Sequence, residues 1–327
     1  MARSTTRRAF VFGAAAVPLA ARGASAQAPF PSRPVRIVIG FPPGGGIDIL
    51  ARLMAPKMAE RLGQSVIVEN RPGANGLIAT QGVAQADADG HTILFGTTGN
   101  LAVNPVLYAG RPGMNMETDF TPLSHVASLD FVLVVNPKVR ANSLKELIDL
   151  VKAEPGKIFF GSSGKGGLPH LAGELLNIQA GLKAVHVPYR GSAPAFTDLI
   201  SGQVQYVFDA LAIAQPHIEA GRLRALATTG PKRMAVLPNV PTAKETLPNF
   251  EVVNWYGMVM RKGTPADIVA RLNKEVVDAL RQKDVAERAA ALGLDLVGTT
   301  PEQFGAFQRA EIAKWGEVIR TANVQAE

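Results

Sequence analysis

The residues best placed to do chemistry lie between Gly161 and Glu174: Ser162, Ser163, Lys165, His170 and Glu174, set among glycines. Such a run must first be tested as a phosphate loop. A Walker A sequence needs Gly, four residues, then Gly-Lys-Ser/Thr. Here Gly166 fills the second glycine place, but Gly167 stands where lysine is required. The dinucleotide pattern G-x-G-x-x-G fails as well, because Gly164 and Gly166 are followed by Pro169. No G-x-S-x-G elbow occurs here, since position 165 is lysine, so a serine hydrolase is unsupported. What remains is a Ser- and Gly-rich nest of backbone N–H groups at a helix N-terminus, which suits an anion.

The other candidates are weaker singly. His91, His125, His170, His186 and His217 form neither H-E-x-x-H nor a tight pair. His170 and Glu174 share a helix face at i, i+4. They would need a third ligand to hold a metal, and a hydrogen-bonded or capping histidine is the simpler reading. Asp48 and Arg52, also i, i+4, read as a local ion pair. Asp209 ends an apolar run; its carboxylate there could meet a ligand's amino group, hold a water, or serve only as a turn or cap. No metal and no cofactor is expected.

These residues are positioned by repeated strand–turn–helix units. Val35 to Ile39 reads as a buried strand, and Ile47, Leu50, Leu53, Met54, Met58 and Leu62 recur at helical spacing. Pro56 should kink or interrupt that helix. Between them lie Gly40 to Gly46, including Phe41, Pro43, Gly44, Gly45 and Gly46. Either this turn binds an anion at the positive end of a helix dipole, or it is a tight connection that binds nothing. Strands at Ser65–Glu69 and His91–Phe95 end in Gly-rich turns too, the latter offering Thr97, Thr98 and Asn100. Strands alternating with helices imply a mostly parallel sheet, in which ligands sit beyond the carboxyl ends of the strands. Three turns at such ends could converge on a cleft. Leu123–Ser128 and Phe131–Val135 read as two strands with a break between. Ser143 to Glu146 is a capping box that starts a helix. The pattern then begins again over about Val134 to Phe250, with Gly161–Gly167, then Tyr189, Arg190 and Gly191 before a Ser192 cap, and then Asp209. Val252 to Met260 is a long apolar stretch. The tail is helical, with Thr300-Pro301-Glu302-Gln303 capping a last helix whose Phe304, Phe307, Trp315 and Ile319 belong to the core.

The chain has 327 residues, no cysteine and a formal charge of +7. Disulfides, thiolate metal sites and a cysteine nucleophile are therefore excluded. Thr6-Arg7-Arg8-Ala9-Phe10, an apolar run to Ala21 and Ala24-Ser25-Ala26 read as a signal peptide over 1–26, of twin-arginine type, or of the general secretory type with paired arginines. Removing it takes four arginines and no acid, so the charge falls to +3. That is poor support for nucleic-acid binding, and no basic block adds to it. The remaining length suits about two domains.

The chain resembles the Bug family, the periplasmic solute-binding proteins of tripartite tricarboxylate transporters. The resemblance rests on Phe41-Pro42-Pro43-Gly44-Gly45-Gly46 with Asp48 and Ala51-Arg52, Asn70-Arg71-Pro72-Gly73-Ala74, Gly161-Ser162-Ser163-Gly164 with His170 to Glu174, His186 to Gly191, Thr197-Asp198-Leu199, Pro241-Thr242, Trp255-Tyr256-Gly257, Gly263-Thr264-Pro265 and Trp315. It implies an α/β, two-lobed periplasmic-binding-protein fold of type II-like form. Lobe 1 would be discontinuous, 27–133 with 251–327, and lobe 2 would span 134–250. It implies a monomeric periplasmic receptor, without catalytic residues, that takes a small carboxylate to the membrane permease subunits of such a transporter. The binding loops it points to contain Phe41, Pro43, Gly44, Gly45, Gly46, Thr97, Thr98, Asn100, Ser162, Ser163, Gly166, Tyr189, Arg190, Gly191 and Asp209. Arg190 and Lys165 are possible added charges. Two rivals are an exported enzyme acting on a carboxylic acid, and a sensor that presents its closed form to a membrane signalling protein.

Overall fold

The structure, a computed structural model, describes Met1 and residues 30–325. Met1 aside, the leader expected over 1–26 lies outside the described residues. In chain order the first elements are β1 (Val35–Ile39), α1 (Gly46–Leu62), β2 (Val66–Asn70), α2 (Leu77–Ala84), β3 (Thr92–Thr97), α3 (Asn104–Leu107), α4 (Met116–Asp119) and β4 (Phe120–Val135). Next come α5 (Leu144–Ala153), β5 (Phe159–Ser162), α6 (Leu168–Ala180), β6 (Val185–Pro188), α7 (Ser192–Ser201), β7 (Tyr206–Ala210), α8 (Leu211–Glu219) and β8 (Arg224–Thr228). The chain closes with β9 (Val253–Arg261), α9 (Ala266–Leu280), α10 (Lys283–Ala291), β10 (Asp295–Leu296) and α11 (Pro301–Thr321).

The strands pair in two groups. β1 lies between β2 and β3, parallel to both, and β3 pairs antiparallel with β9. In the other group β5 runs parallel to β6 and β7. β4 belongs to both: Phe120–Asp130 pairs with β9, and Phe131–Val135 pairs with β7 and β8. The two strands expected at 123–128 and 131–135 are therefore one. The expected break at Leu129 and Asp130 is bridged because Asn254 and Val253 of β9 continue the ladder there. The result is a two-lobed α/β molecule in which every parallel strand of a group ends on the same side.

Packing explains the other departures. α1 is continuous through Pro56. Its buried face, Leu50, Met54, Met58 and Leu62, packs into one core with Ile37, Ile39, Leu272 and Val276. Tertiary burial of that face offsets the one hydrogen bond proline removes. α1 ends at Gly63, whose φ of 69° closes the helix in the left-handed conformation. Ser143 accepts the Glu146 amide at 3.1 Å, but Glu146 returns its carboxylate to the Asn142 amide, one residue before the cap. At α11 the box is complete, Thr300 with Gln303 in both directions. The tail helices lie chiefly on the first group of strands: α9 packs on α1 and β4, and α11 on β4 and α3, while α11 also touches α6. Trp255 and Trp315 are fully buried there with Phe304.

Candidate ligand-binding cleft

The three turns after β1, β2 and β3 meet. The Arg71 amide donates to Ile39 O at 2.8 Å, folding the second turn over the end of β1. A Cβ on Gly40 would stand 2.6 Å from the Gly76 Cα, and one on Gly76 only 1.8 Å from Asn100 Nδ2, so the glycines are what let three backbones touch. Asn100 braces the junction. Its Oδ1 accepts the Thr97 amide at 3.1 Å and its Nδ2 donates to Asn75 O at 3.3 Å. Asn100 and Thr98 are fully buried, and the Thr98 hydroxyl accepts the Trp255 amide at 2.9 Å. These two hold the third turn in place, while Thr97 is half-exposed.

Asp48 shapes the first turn. It accepts Gly44 N at 2.9 Å, Asn70 Nδ2 at 2.9 Å and Arg52 Nε at 3.0 Å. Burial alone would raise its pKa, but the hydrogen bonds from Arg52, Gly44 and Asn70 outweigh it and hold the carboxyl below its ordinary range. With Asp48 turned inward, the N-terminus of α1 is left open. Gly44 and Gly45 are exposed, Gly46 is half-exposed, and among the described residues no hydrogen bond engages the amides of Gly45, Gly46 and Ile47. Phe41, half-exposed, and Pro43, exposed, flank the same opening. The Tyr256 hydroxyl sits beside it, 3.1 Å from where a Gly46 Cβ would be. Tyr256 is buried in β9, and that burial pushes its pKa up to about 12, so it is a neutral hydroxyl at physiological pH. Tyr256 is not among the candidate site residues that the sequence pattern singles out, and its position makes it one. Its signal was the Trp255-Tyr256-Gly257 motif, but its place needs the pairing of Tyr256 with Thr97 across β3 and β9.

In the other group, the loop after β5 is tied to itself. Ser162 is fully buried, with Oγ 2.7 Å from His186 Nε2 and 2.9 Å from Gly164 O. The amides expected to be free are in part engaged: Gly164 N reaches Ser162 Oγ at 3.3 Å, Gly166 N reaches His170 Nδ1 at 3.0 Å, and Gly191 N reaches Ser163 O at 3.1 Å. Accepting at Nδ1 leaves the His170 proton on Nε2, which lies 3.5 Å from Glu174 Oε1. His170 stacks on His186 at 3.7 Å. Burial, with the Lys165 ammonium as a smaller cause, pushes His186 down to about 3. Ser162 and His186 thus resemble a nucleophile and base, yet the hydroxyl is sealed and no carboxylate bonds His186 among the described residues. The pair braces the turn. Among the described residues no cluster of three metal-ligating side chains forms.

Tyr189 gives its hydroxyl to Asp198 at 2.7 Å and its ring edge to Gly161. Burial and that bond push its pKa up to about 12. Lys165 and Arg190 are exposed, and Ser163 is half-exposed. Gly191, at φ 111°, caps α7, so Ser192 is the first helical residue and not the cap. Asp209 is buried at the end of β7. Its Oδ1 accepts the Ala210 amide at 2.7 Å, and among the described residues its Oδ2 has no hydrogen-bond partner. Burial raises its pKa against the opposing Ser192 and Ala210. The end of α3 approaches the loop after β5, where a Cβ on Gly166 would stand 2.9 Å from Leu107 Cδ1.

A family model described as "Tripartite tricarboxylate transporter family receptor" matches residues 50–324. A protein of Pseudomonas sp. strain P51, named for the tcbD-tcbE intergenic region, is 41% identical over 89% of this chain and 86% of its own. Protein BugT of Bordetella pertussis is 38% identical over 89% of this chain and 90% of its own. Among solved structures, R. palustris Rpa4515 with adipate superposes with a TM-score of 0.77 at 36% identity, covering 90% of this chain and 99% of that one. MatC from Rhodopseudomonas palustris with bound malate gives 0.73 at 33%, covering 89% and 100%.

Proposed function

Since the chain belongs to the tripartite tricarboxylate transporter receptor family, and so is a solute receptor and not an enzyme, we propose that it binds a small carboxylate between its two groups of loops and delivers it to the membrane permease of such a transporter. The observation that carries this reading is the open N-terminus of α1, where uncommitted amides of Gly45, Gly46 and Ile47 adjoin the Tyr256 hydroxyl. A helix start presents about half a positive charge to an anion. Thr97, Ser163, Tyr189 and Arg190 are the groups that would reach the ligand directly; Thr98, Asn100, Ser162, Gly166, Gly191 and Asp209 would set the loops. The adipate and malate of the two relatives support the ligand class.

Lobe 1 is proposed as 27–133 with 251–327 and lobe 2 as 134–250, and the strand pairing supports this, since β4 passes from one group to the other while β9 pairs with β3 and the first half of β4. The ligand would dock on one lobe and hinge closure would bury it. Residues 1–26 are proposed as the export signal to the periplasm and the mature receptor as a monomer. Each charge-assisted bond contributes about 1.5–3 kcal/mol, so two or three support micromolar affinity after the cost of association. A thermal-shift screen of matched acids, amides and methyl esters tests the reading. At least one small carboxylate should raise the melting temperature while its amide and ester fail. Stabilisation by sugars or cationic solutes, with none by a carboxylate, would overturn it.

A further inference from the structure

We propose that the groove between α11 and the segment joining α3 to α4 is a second ligand site, taking an amphipathic anion with a long apolar body and one anionic head. The groove holds about 780 Å³, within the roughly 300–1,000 Å³ of small-molecule sites. None of its lining residues belongs to the Gly-rich turns.

Its floor is apolar and its rim is cationic. Met114, Met116 and Phe120 are buried beneath it and Ile312 forms part of one wall. Gly305 makes the close approach that shapes the floor: a Cβ there would stand 3.2 Å from Pro122 Cγ. The Arg309 guanidinium lies back over that glycine, 3.6 Å from the same point. Arg111, Lys262 and Arg309 line the groove and are exposed, and among the described residues none of them joins an ion pair. Arg111 instead lies over the Tyr108 ring at 4.9 Å. Glu117 is the one acid in the lining. An apolar body covers the floor, and the unpaired cations attract an anionic head with little opposing repulsion. A short dicarboxylate would leave the floor in water, and a cationic amphiphile would meet like charge at the rim. The chemistry that fits is a long-chain monocarboxylate.

The test uses the full receptor labelled at methionine methyl groups, with decanoate as the probe and a decyl-trimethylammonium salt of equal chain length as the control. Decanoate below its micelle concentration should shift the Met114 and Met116 signals saturably. Met258 and Met260, buried in β9, should stay still, and the cationic control should leave all four unmoved. In the Lys262→Glu/Arg309→Glu variant, which changes only exposed side chains, decanoate affinity at this site should fall about tenfold or more, because two charge-assisted contacts are lost. Absence of any shift at Met114 and Met116 overturns the proposal. So does equal binding of the cationic probe, or a decanoate affinity that the variant leaves unchanged.

Discussion

The Gly76 α-carbon rests against the carboxamide of Asn100, so closely that a methyl group on Gly76 would stand 1.8 Å from Asn100 Nδ2. Gly76 also has φ 81°, in the left-handed region that favours glycine. Gly76→Ala should therefore lose both the conformation and the contact. A destabilisation of roughly 2–4 kcal/mol is expected, with loss of carboxylate affinity because the second and third turns separate. Adding Asn100→Gly should recover part of the stability by removing the clash, and little of the affinity, because the Thr97 amide loses its acceptor. Thermal unfolding and calorimetric titration of the two single variants and the double variant check this.

Glu311 is gripped by two tryptophans. Trp255 Nε1 donates to Oε2 at 3.0 Å and Trp315 Nε1 donates to the same oxygen at 2.9 Å. This joins α11 to β9, the strand that carries Tyr256. Glu311→Ala would leave two buried indole N–H groups without an acceptor, at an expected cost of roughly 2–4 kcal/mol. Glu311→Gln keeps an acceptor oxygen and should cost less. Denaturant unfolding followed by tryptophan fluorescence reads both. Equal stability of the alanine variant and wild type would show that the indoles find other partners.

Much of this frame was legible because it is local. Val35, Ile37, Val38 and Ile39 announced a buried strand, Thr300 and Gln303 a helix start, and Asp48 with Arg52 an ion pair, and all three are present. What could not be read depends on residues far apart in sequence. The partner switch that keeps β4 continuous at Asp130 needs Val253. The work of Thr98 as a brace needs the Trp255 amide. Asp209 looked equally able to hold a ligand or a turn, because nothing nearby in sequence reveals that its Oδ2 would be sealed with no hydrogen-bond partner among the described residues.

That sealed oxygen gives a pH-dependent prediction. Burial raises the Asp209 pKa above its unfolded value, so folding favours the protonated acid. The folded chain then binds more protons than the unfolded chain between the ordinary carboxylate pKa and the raised one, and stability falls as pH rises through that window. Above it the full penalty of a buried, half-partnered carboxylate applies. Asp209→Asn keeps the shape and removes the charge. It should raise the melting temperature at pH 8, and the gain should shrink toward pH 4. A gain independent of pH would mean that the charge is not what costs stability, and a loss at pH 8 would mean that the carboxylate has a stabilising partner in solution.

The last prediction concerns which groups hold the ligand's charge. The Tyr256 hydroxyl adjoins the open start of α1 and is held by a buried strand, whereas Arg190 is exposed on a loop of the other group. A fixed, partly desolvated donor contributes more than a hydrated, mobile cation, because water screens the latter and ordering it costs side-chain entropy. Tyr256→Phe should then leave the unliganded melting temperature within a few degrees of wild type while weakening the best carboxylate about tenfold, the effect of one lost hydrogen bond to a charged group. Arg190→Ala should weaken it less, by about threefold or under, with the difference from wild type fading as salt rises. Titrating both variants at low and at physiological ionic strength separates the two cases. If Arg190→Ala costs more than Tyr256→Phe at both, the charge is held by an arginine clamp, and the helix start is not the primary anion site.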